Sequence, residues 1–173
     1  MVDSAHEEQF IRYPESVLKA SQDLVGQFRM FAFLNSTGIL ALASQNIPNR
    51  GLPDDVLAQY RAILATTRYF EMHLAELNAL EGSCAEVLAL HMISLENSPL
   101  IVLSRRYWDA TPLLSNADNQ QFWEIWQVVQ SELAALSSEV KQIIAEQSGH
   151  HLQLDQPDLV VDAIRAYVDA NYK

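Results

Sequence analysis

Residues 97–104, NSPLIVLS, decide the fold class of this chain. Four consecutive apolar residues stand there between turn-forming residues, which is the pattern of a short strand buried on both faces. We predict one strand at about 99–104 and a second at about 141–147, around the apolar residues of VKQIIA. Between them, apolar residues recur at helical spacing over 121–140. Strand, helix and strand in this order predict a right-handed crossover unit with a parallel sheet.

The sequence outside this unit is mostly helical in pattern. Pro157 suits the first turn of a last helix that has apolar residues on one face. Upstream, apolar spacing predicts a helix over 16–34, another that starts near Asp54, and helical segments on both sides of an interruption at Gly82. Residues 35–50 mix apolar residues with turn formers, which predicts a short helix bounded by loops.

Residues Val2 and Asp3, at the front of the chain, are read as the stub of a third strand. The chain therefore divides into a strand stub and loop at 1–13, a helical region at 14–97 and an α/β segment at 98–173. The predicted class is α/β, rich in helix, with two or three parallel strands.

The charge and cysteine content exclude several classes of function. The chain has 11 basic and 22 acidic residues and a formal net charge of -11. Proteins that bind nucleic acids or anionic membranes concentrate Lys and Arg, so neither partner is expected. No apolar run reaches the roughly 18 residues of a membrane span. The single cysteine, Cys84, cannot form an intramolecular disulfide, which favours a reducing cytoplasm.

The few glycines exclude the common phosphate-binding loops. No two of them are three to five residues apart, whereas such loops need closely spaced glycines. We therefore expect no nucleotide cofactor, and no set of metal ligands is evident. The same spacing excludes a G-x-S-x-G nucleophile elbow, in which glycines on both sides relieve crowding at a reactive serine. The five glycines are Gly26, Gly38, Gly51, Gly82 and Gly149.

Residues 148–168, SGHHLQLDQPDLVVDAIRAYV, resemble the C-terminal end of an α/β-hydrolase. Gly149, His150, Asp155 and Pro157 fit that family's G-H-x-x-x-x-[DE]-x-P pattern. PLIVLS at 99–104 is similar to the preceding strand, and the helical region resembles the lid that such enzymes insert between strands. VDSAHE at 2–7 looks like the end of the strand before the lid. The resemblance covers the chain but matches only the second half of the family's fold.

This resemblance implies a Ser-His-Asp type of site that acts on ester or related acyl bonds, with His150 as the general base. The acid that orients the base follows one of two strands, so Asp3 and Asp109 are both candidates. We prefer Asp3, because the residues before Asp109 lack the glycine that the family has after this strand. Asp3 could equally cap the first turn that follows it. Asp155 and Asp158 are explained more simply by the N-terminus of the last helix.

No residue of the chain is a convincing nucleophile. Cys84 has only half of an elbow, Gly82 without a second glycine, and Ser36 lacks both the upstream glycine and a preceding strand. The chain is therefore expected to be inactive alone. We expect it either to self-associate or to bind a separate polypeptide that supplies the first half of the sheet, and to act on a small ester-like substrate when complete. The alternative is a non-catalytic interaction or oligomerisation module.

Four aromatic residues near the crossover helix could be taken for a ligand-binding cluster. Helical spacing more often places such residues in a core, so we predict that Phe122 and Trp126 are core residues. The four are Trp108, Phe122, Trp123 and Trp126.

Overall fold

A computed structural model describes residues 1–38, 49, 51–90, 94–108 and 110–171 of the chain. These residues form two compact units. The sheet unit comprises Met1–Pro14 with Cys84–Lys173, and the helical unit comprises Glu15–Ser83. The short helix predicted over 35–50 falls largely outside the described residues, and Asp109 lies outside them.

The helices and strands of the described residues bear out the mixed, helix-rich α/β class. Both predicted strands are present, and the last helix begins at Pro157 as predicted. In chain order the elements are α1 (Gln9–Arg12), α2 (Glu15–Ser36), α3 (Asp54–Leu64), α4 (Thr67–Ala89), β1 (Leu100–Arg105), α5 (Asn116–Ala135), β2 (Val140–Ala145), α6 (Leu152–Asp155) and α7 (Pro157–Asn171).

Strands β1 and β2 pair in parallel, with Leu100 opposite Val140 and Arg105 opposite Ala145. Successive side chains of a strand point to opposite faces, and helices cover both faces of β1. On one face Val102 packs in a cluster with Ala134 of α5. On the other face Leu103 packs in a cluster with Ala163 of α7. The prediction of a strand buried on both faces is therefore confirmed for β1.

The predicted strand stub at the front of the chain is present as a single bridge. Val2 pairs in parallel with Leu103, on the side of β1 away from β2. The backbone N–H of Asp3 donates to the Leu103 carbonyl at 2.7 Å, and the Leu103 N–H donates to the Met1 carbonyl at 2.9 Å. Asp3 then turns out of the strand direction with a φ of 43°, a left-handed conformation that Asp tolerates better than most residues.

Two sequence predictions about helix boundaries were wrong. Helix α4 runs without a break through Gly82, because one glycine costs a helix only about 1 kcal/mol. Helix α5 ends at Ala135 and not near residue 140. The chain leaves the helix there because the Leu136 carbonyl accepts from the Leu95 N–H at 2.6 Å, and the Ser137 hydroxyl donates to the Ser98 carbonyl at 2.6 Å.

The helical unit contains an aromatic contact cluster. The rings of Phe28 and Phe31 lie 6.2 and 6.1 Å from that of Phe70, measured between centroids. Other large apolar side chains of this unit are exposed, among them Phe33 and Met72. Across the described ranges, none of the helices is long and apolar enough to cross a membrane.

Candidate acid–base site

The candidate site lies at the C-terminal ends of the parallel strands of the sheet unit. Asp3 follows the bridge at Val2, Arg105 is the last residue of β1, and His150 lies in the loop that follows β2. In open α/β sheets, loops at these ends collect the residues that bind ligands. Three segments that are distant in sequence therefore meet because the strands are parallel and in register.

Asp3 and His150 form a close pair. The His150 Nδ1 atom lies 2.6 Å from Oδ2 of Asp3, which is short for a hydrogen bond between a ring nitrogen and a carboxylate. The Asp3 side chain is 1% exposed, whereas that of His150 is 60% exposed. Because Nδ1 faces a carboxylate, this geometry assigns the proton to Nδ1 and leaves Nε2 as the nitrogen that can accept a proton.

Arg105 is the second partner of the Asp3 carboxylate. Its backbone N–H donates to Oδ1 at 3.3 Å, and its Nε lies 3.2 Å from Oδ2 in a buried ion pair. The guanidinium carbon lies 4.2 Å from the ring centroid of Trp126 and 4.9 Å from that of Trp108. Both indoles therefore offer an aromatic face to a cation that is shielded from water.

The loop that carries His150 is fixed by hydrogen bonds on both sides. The Ser148 hydroxyl and the Gly149 N–H both approach Oδ2 of Asp155, at 3.1 and 3.3 Å. The Arg106 N–H donates to the Ser148 carbonyl at 3.1 Å. The sequence suggested only that Asp155 lies at a helix N-terminus. In the structure its carboxylate also holds the start of the histidine loop. The spacing from His150 to Asp155 in the quoted motif was the signal that could have indicated this.

Of the predicted site residues, the structure brings together His150 and Asp3, and it does not describe Asp109. Arg105 was not predicted as a site residue, because no local sequence pattern marks it. The sequence did predict that Phe122 and Trp126 belong to the core, and both are buried. Within the described part of the chain, no group of three or more His, Cys, Asp and Glu residues is placed to hold a metal ion.

The two residues considered as substitute nucleophiles are engaged elsewhere. Cys84 is buried, with its Sγ atom 3.7 Å from the Gln9 Nε2 atom and 3.7 Å from the His6 carbonyl oxygen. Burial raises the pKa of the Cys84 thiol, so the reactive thiolate is disfavoured. The Ser36 hydroxyl donates to the Phe33 carbonyl of its own helix at 2.6 Å.

Comparison with known proteins adds no relative: no protein-family model matches this chain, and neither does any curated protein or solved structure.

Proposed function

We propose that this chain supplies the base and the acid of an α/β-hydrolase-type site for acyl transfer, with His150 as general base and Asp3 as the acid that orients it. The observation that carries the proposal is the 2.6 Å contact between His150 Nδ1 and Asp3 Oδ2. This contact joins two residues that the resemblance singled out. His150 belongs to the motif that resembles the histidine loop of the hydrolase family, and Asp3 ends the strand that resembles the one before the family's lid. A buried carboxylate paired to a solvent-accessible imidazole is the arrangement that a hydrolytic triad requires of these two members.

The proposed reaction uses His150 as a proton carrier. Its Nε2 atom takes the proton of a serine hydroxyl as the serine oxygen bonds to the carbonyl carbon of an ester. The same proton then goes to the leaving alcohol as the ester C–O bond breaks. Water hydrolyses the acyl-serine in the same way and releases the acid. Throughout, the Asp3 carboxylate stabilises the imidazolium that forms and holds Nδ1 in place.

The serine in this scheme is not one of the 173 residues of this sequence. The sequence contains no G-x-S-x-G segment, and its one thiol is buried with a raised pKa. A polypeptide segment that carries the nucleophile therefore completes the site. We propose that this segment also completes the sheet. Because a second copy of this chain would have the same sequence, the segment lies outside these 173 residues.

The second candidate is a non-catalytic interaction module, and exposed apolar surface favours it. A largely apolar groove of about 290 Å³ runs beside the Val2 bridge, between β1 and α7. Its lining includes Val2, Leu100, Ile101 and Ile164, and strand β2 leaves Ile144 partly exposed. Apolar surface at the edge of a sheet is a common place for association.

Reading the coding DNA that adjoins the Met1 codon, followed by co-expression, separates the two candidates. The enzymatic proposal expects a segment encoding G-x-S-x-G, in frame or in a neighbouring frame. Co-expressed with this chain, it should give hydrolysis of p-nitrophenyl acetate. That activity should be lost in His150→Ala, strongly reduced in Asp3→Asn and kept in His151→Ala, which removes an imidazole from the same loop.

Two results would contradict the enzymatic proposal. Ester hydrolysis that persists in His150→Ala would show that His150 is not the general base. The absence of any nucleophile segment would leave the interaction module as the better account. Multiple-turnover hydrolysis by the purified chain alone, lost in His150→Ala, would instead place the nucleophile among these 173 residues.

A further inference from the structure

The Asp3 carboxylate is buried together with a cation that the proposed reaction does not itself use. Arg105 approaches both carboxylate oxygens, with its backbone N–H on Oδ1 and its Nε atom beside Oδ2. The side chains of Arg105 and Asp3 are 4% and 1% exposed. Taking a carboxylate out of water is costly unless a countercharge and hydrogen bonds accompany it. The Arg105 guanidinium supplies the countercharge, and the Arg105 backbone N–H supplies one hydrogen bond.

The position of the guanidinium is itself fixed by the core of the sheet unit. It lies over the rings of Trp126 and Trp108, and Trp126 is a buried residue of α5. The indole N–H of Trp108 donates to Asn119 Oδ1 at 3.0 Å, and the Trp108 ring lies 4.4 Å from that of Phe122. The cation therefore contacts α5 and the chain after β1.

From this geometry we propose that Arg105 is a positioning residue that acts on His150 through Asp3. Its backbone N–H holds Oδ1, and its side chain supplies, beside Oδ2, the countercharge that keeps a buried anion in position to face Nδ1. The imidazole is thereby restricted to the tautomer with the proton on Nδ1. The relevance of this role to catalysis rests on the proposed function, but the orientation of the imidazole does not.

The imidazole nitrogens can be observed directly by ¹⁵N NMR of the purified chain near neutral pH. For the wild type we expect a single tautomer of His150, with a slowly exchanging Nδ1 proton. Arg105→Gln removes the charge, and we expect loss of the single tautomer and a mixture of both. Arg105→Lys keeps a charge without the planar guanidinium, and we expect the tautomer to be kept with faster exchange of the Nδ1 proton.

Arg106→Gln is the matched control. Arg106 is the next residue, and its side chain forms an exposed ion pair with Glu146, so the His150 signals should not change in this variant. A wild-type tautomer in folded Arg105→Gln would overturn the proposal. If that variant does not fold, Arg105→Lys decides, because an Nδ1 proton that exchanges as slowly as in the wild type would overturn it equally.

The outcomes separate this inference from the proposed function. Loss of the single tautomer in Arg105→Gln, together with no ester hydrolysis in any co-expressed complex, would support the positioning role and refute the enzymatic one. Hydrolysis that is unchanged in Arg105→Gln, with an unchanged tautomer, would refute the positioning role alone.

Discussion

His150 and Asp3 are 147 positions apart in the chain, yet their Nδ1 and Oδ2 atoms lie 2.6 Å apart in the fold. The parallel register of the sheet unit produces this contact. Three segments end at the same edge of the sheet: the bridge at Val2, strand β1 and the loop after β2. They place Asp3, Arg105 and His150 there. The pair therefore depends on the anchoring of the N-terminal segment and of the histidine loop.

The anchoring of the histidine loop predicts a loss of stability in Asp155→Ala. The buried Gly149 N–H would lose its carboxylate acceptor, whereas the Ser148 hydroxyl keeps a second acceptor, the Gly149 carbonyl oxygen at 3.0 Å. Leaving a buried donor without a partner costs about 1–3 kcal/mol. We expect a decrease of that size in the free energy of unfolding, measured by urea denaturation.

Asp158→Ala is the control for this measurement. Asp158 is an exposed residue in the first turn of α7, and removal of a favourable helix-dipole interaction costs about 0.3–1 kcal/mol. Equal losses in the two variants would show that Asp155 contributes no more than a helix N-terminal charge.

The partly buried ring of Tyr13 predicts a decrease in stability at alkaline pH. Burial, the largest cause, raises the pKa of the Tyr13 hydroxyl above its usual 10.0. Above about pH 10 the unfolded chain loses this proton while the folded chain keeps it. The Tyr13 contribution is therefore fully present below about pH 10 and is lost as the pH rises further.

Tyr13→Phe should flatten that decrease, because Phe keeps the ring that packs 4.8 Å from Phe122 but has no proton to lose. Urea unfolding at pH values from about 8 to 11, a range that brackets the usual tyrosine pKa, measures how the free energy of unfolding changes with pH. Tyr107→Phe, at an exposed tyrosine, should leave the slope close to that of the wild type. An unchanged slope in Tyr13→Phe would contradict this account.

The exposed apolar groove and the few strands of the sheet predict association. We expect light scattering of the purified chain to give a molecular mass above that of the monomer, and the mass to fall as the protein is diluted. Ile164→Glu puts a charge at the groove, beside Val2 and Leu100, and should weaken association. A clean monomer at high concentration would argue strongly against self-association and would leave a different chain as the partner.

The sequence predicted the parts of the fold that have local patterns. The apolar runs around Val102 and Ile143 predicted the two strands. The motif that contains His150 predicted that this residue lies in the loop after β2. The preference for Asp3 over Asp109 rested on the residues around each candidate. The structure places Asp3 against His150, and its role as the triad acid stays a prediction.

Features that depend on tertiary contacts could not be predicted from the sequence. Arg105 ends a strand without any motif, and only the fold shows that Asp3 and two indoles surround its side chain. Gly82 was wrongly taken as a helix break, because a propensity penalty near 1 kcal/mol is easily offset in a long helix. The end of α5 depended on bonds to residues 95–98, which the sequence pattern does not reveal.

The reactivity of His150 toward a small acylating reagent shows whether Asp3 makes its imidazole a better base. Diethyl pyrocarbonate transfers an ethoxycarbonyl group to a neutral imidazole nitrogen, and peptide mass spectrometry can follow His150 and His151 separately. Both histidines are exposed and their ring centroids lie 5.2 Å apart, and the His150 imidazole contacts Asp3. His151 therefore gives a comparison from the same loop.

We expect that His150 reacts faster than His151 and that Asp3→Asn slows the reaction of His150 while His151 is little affected. Only the part of this hydrogen bond that is gained as the imidazole becomes positively charged affects the rate. The about 1.5–3 kcal/mol of a hydrogen bond to a charged group is therefore an upper limit for the decrease. Equal rates for the two histidines in the wild type, with no change in Asp3→Asn, would contradict the claim that Asp3 prepares His150 to act as a base.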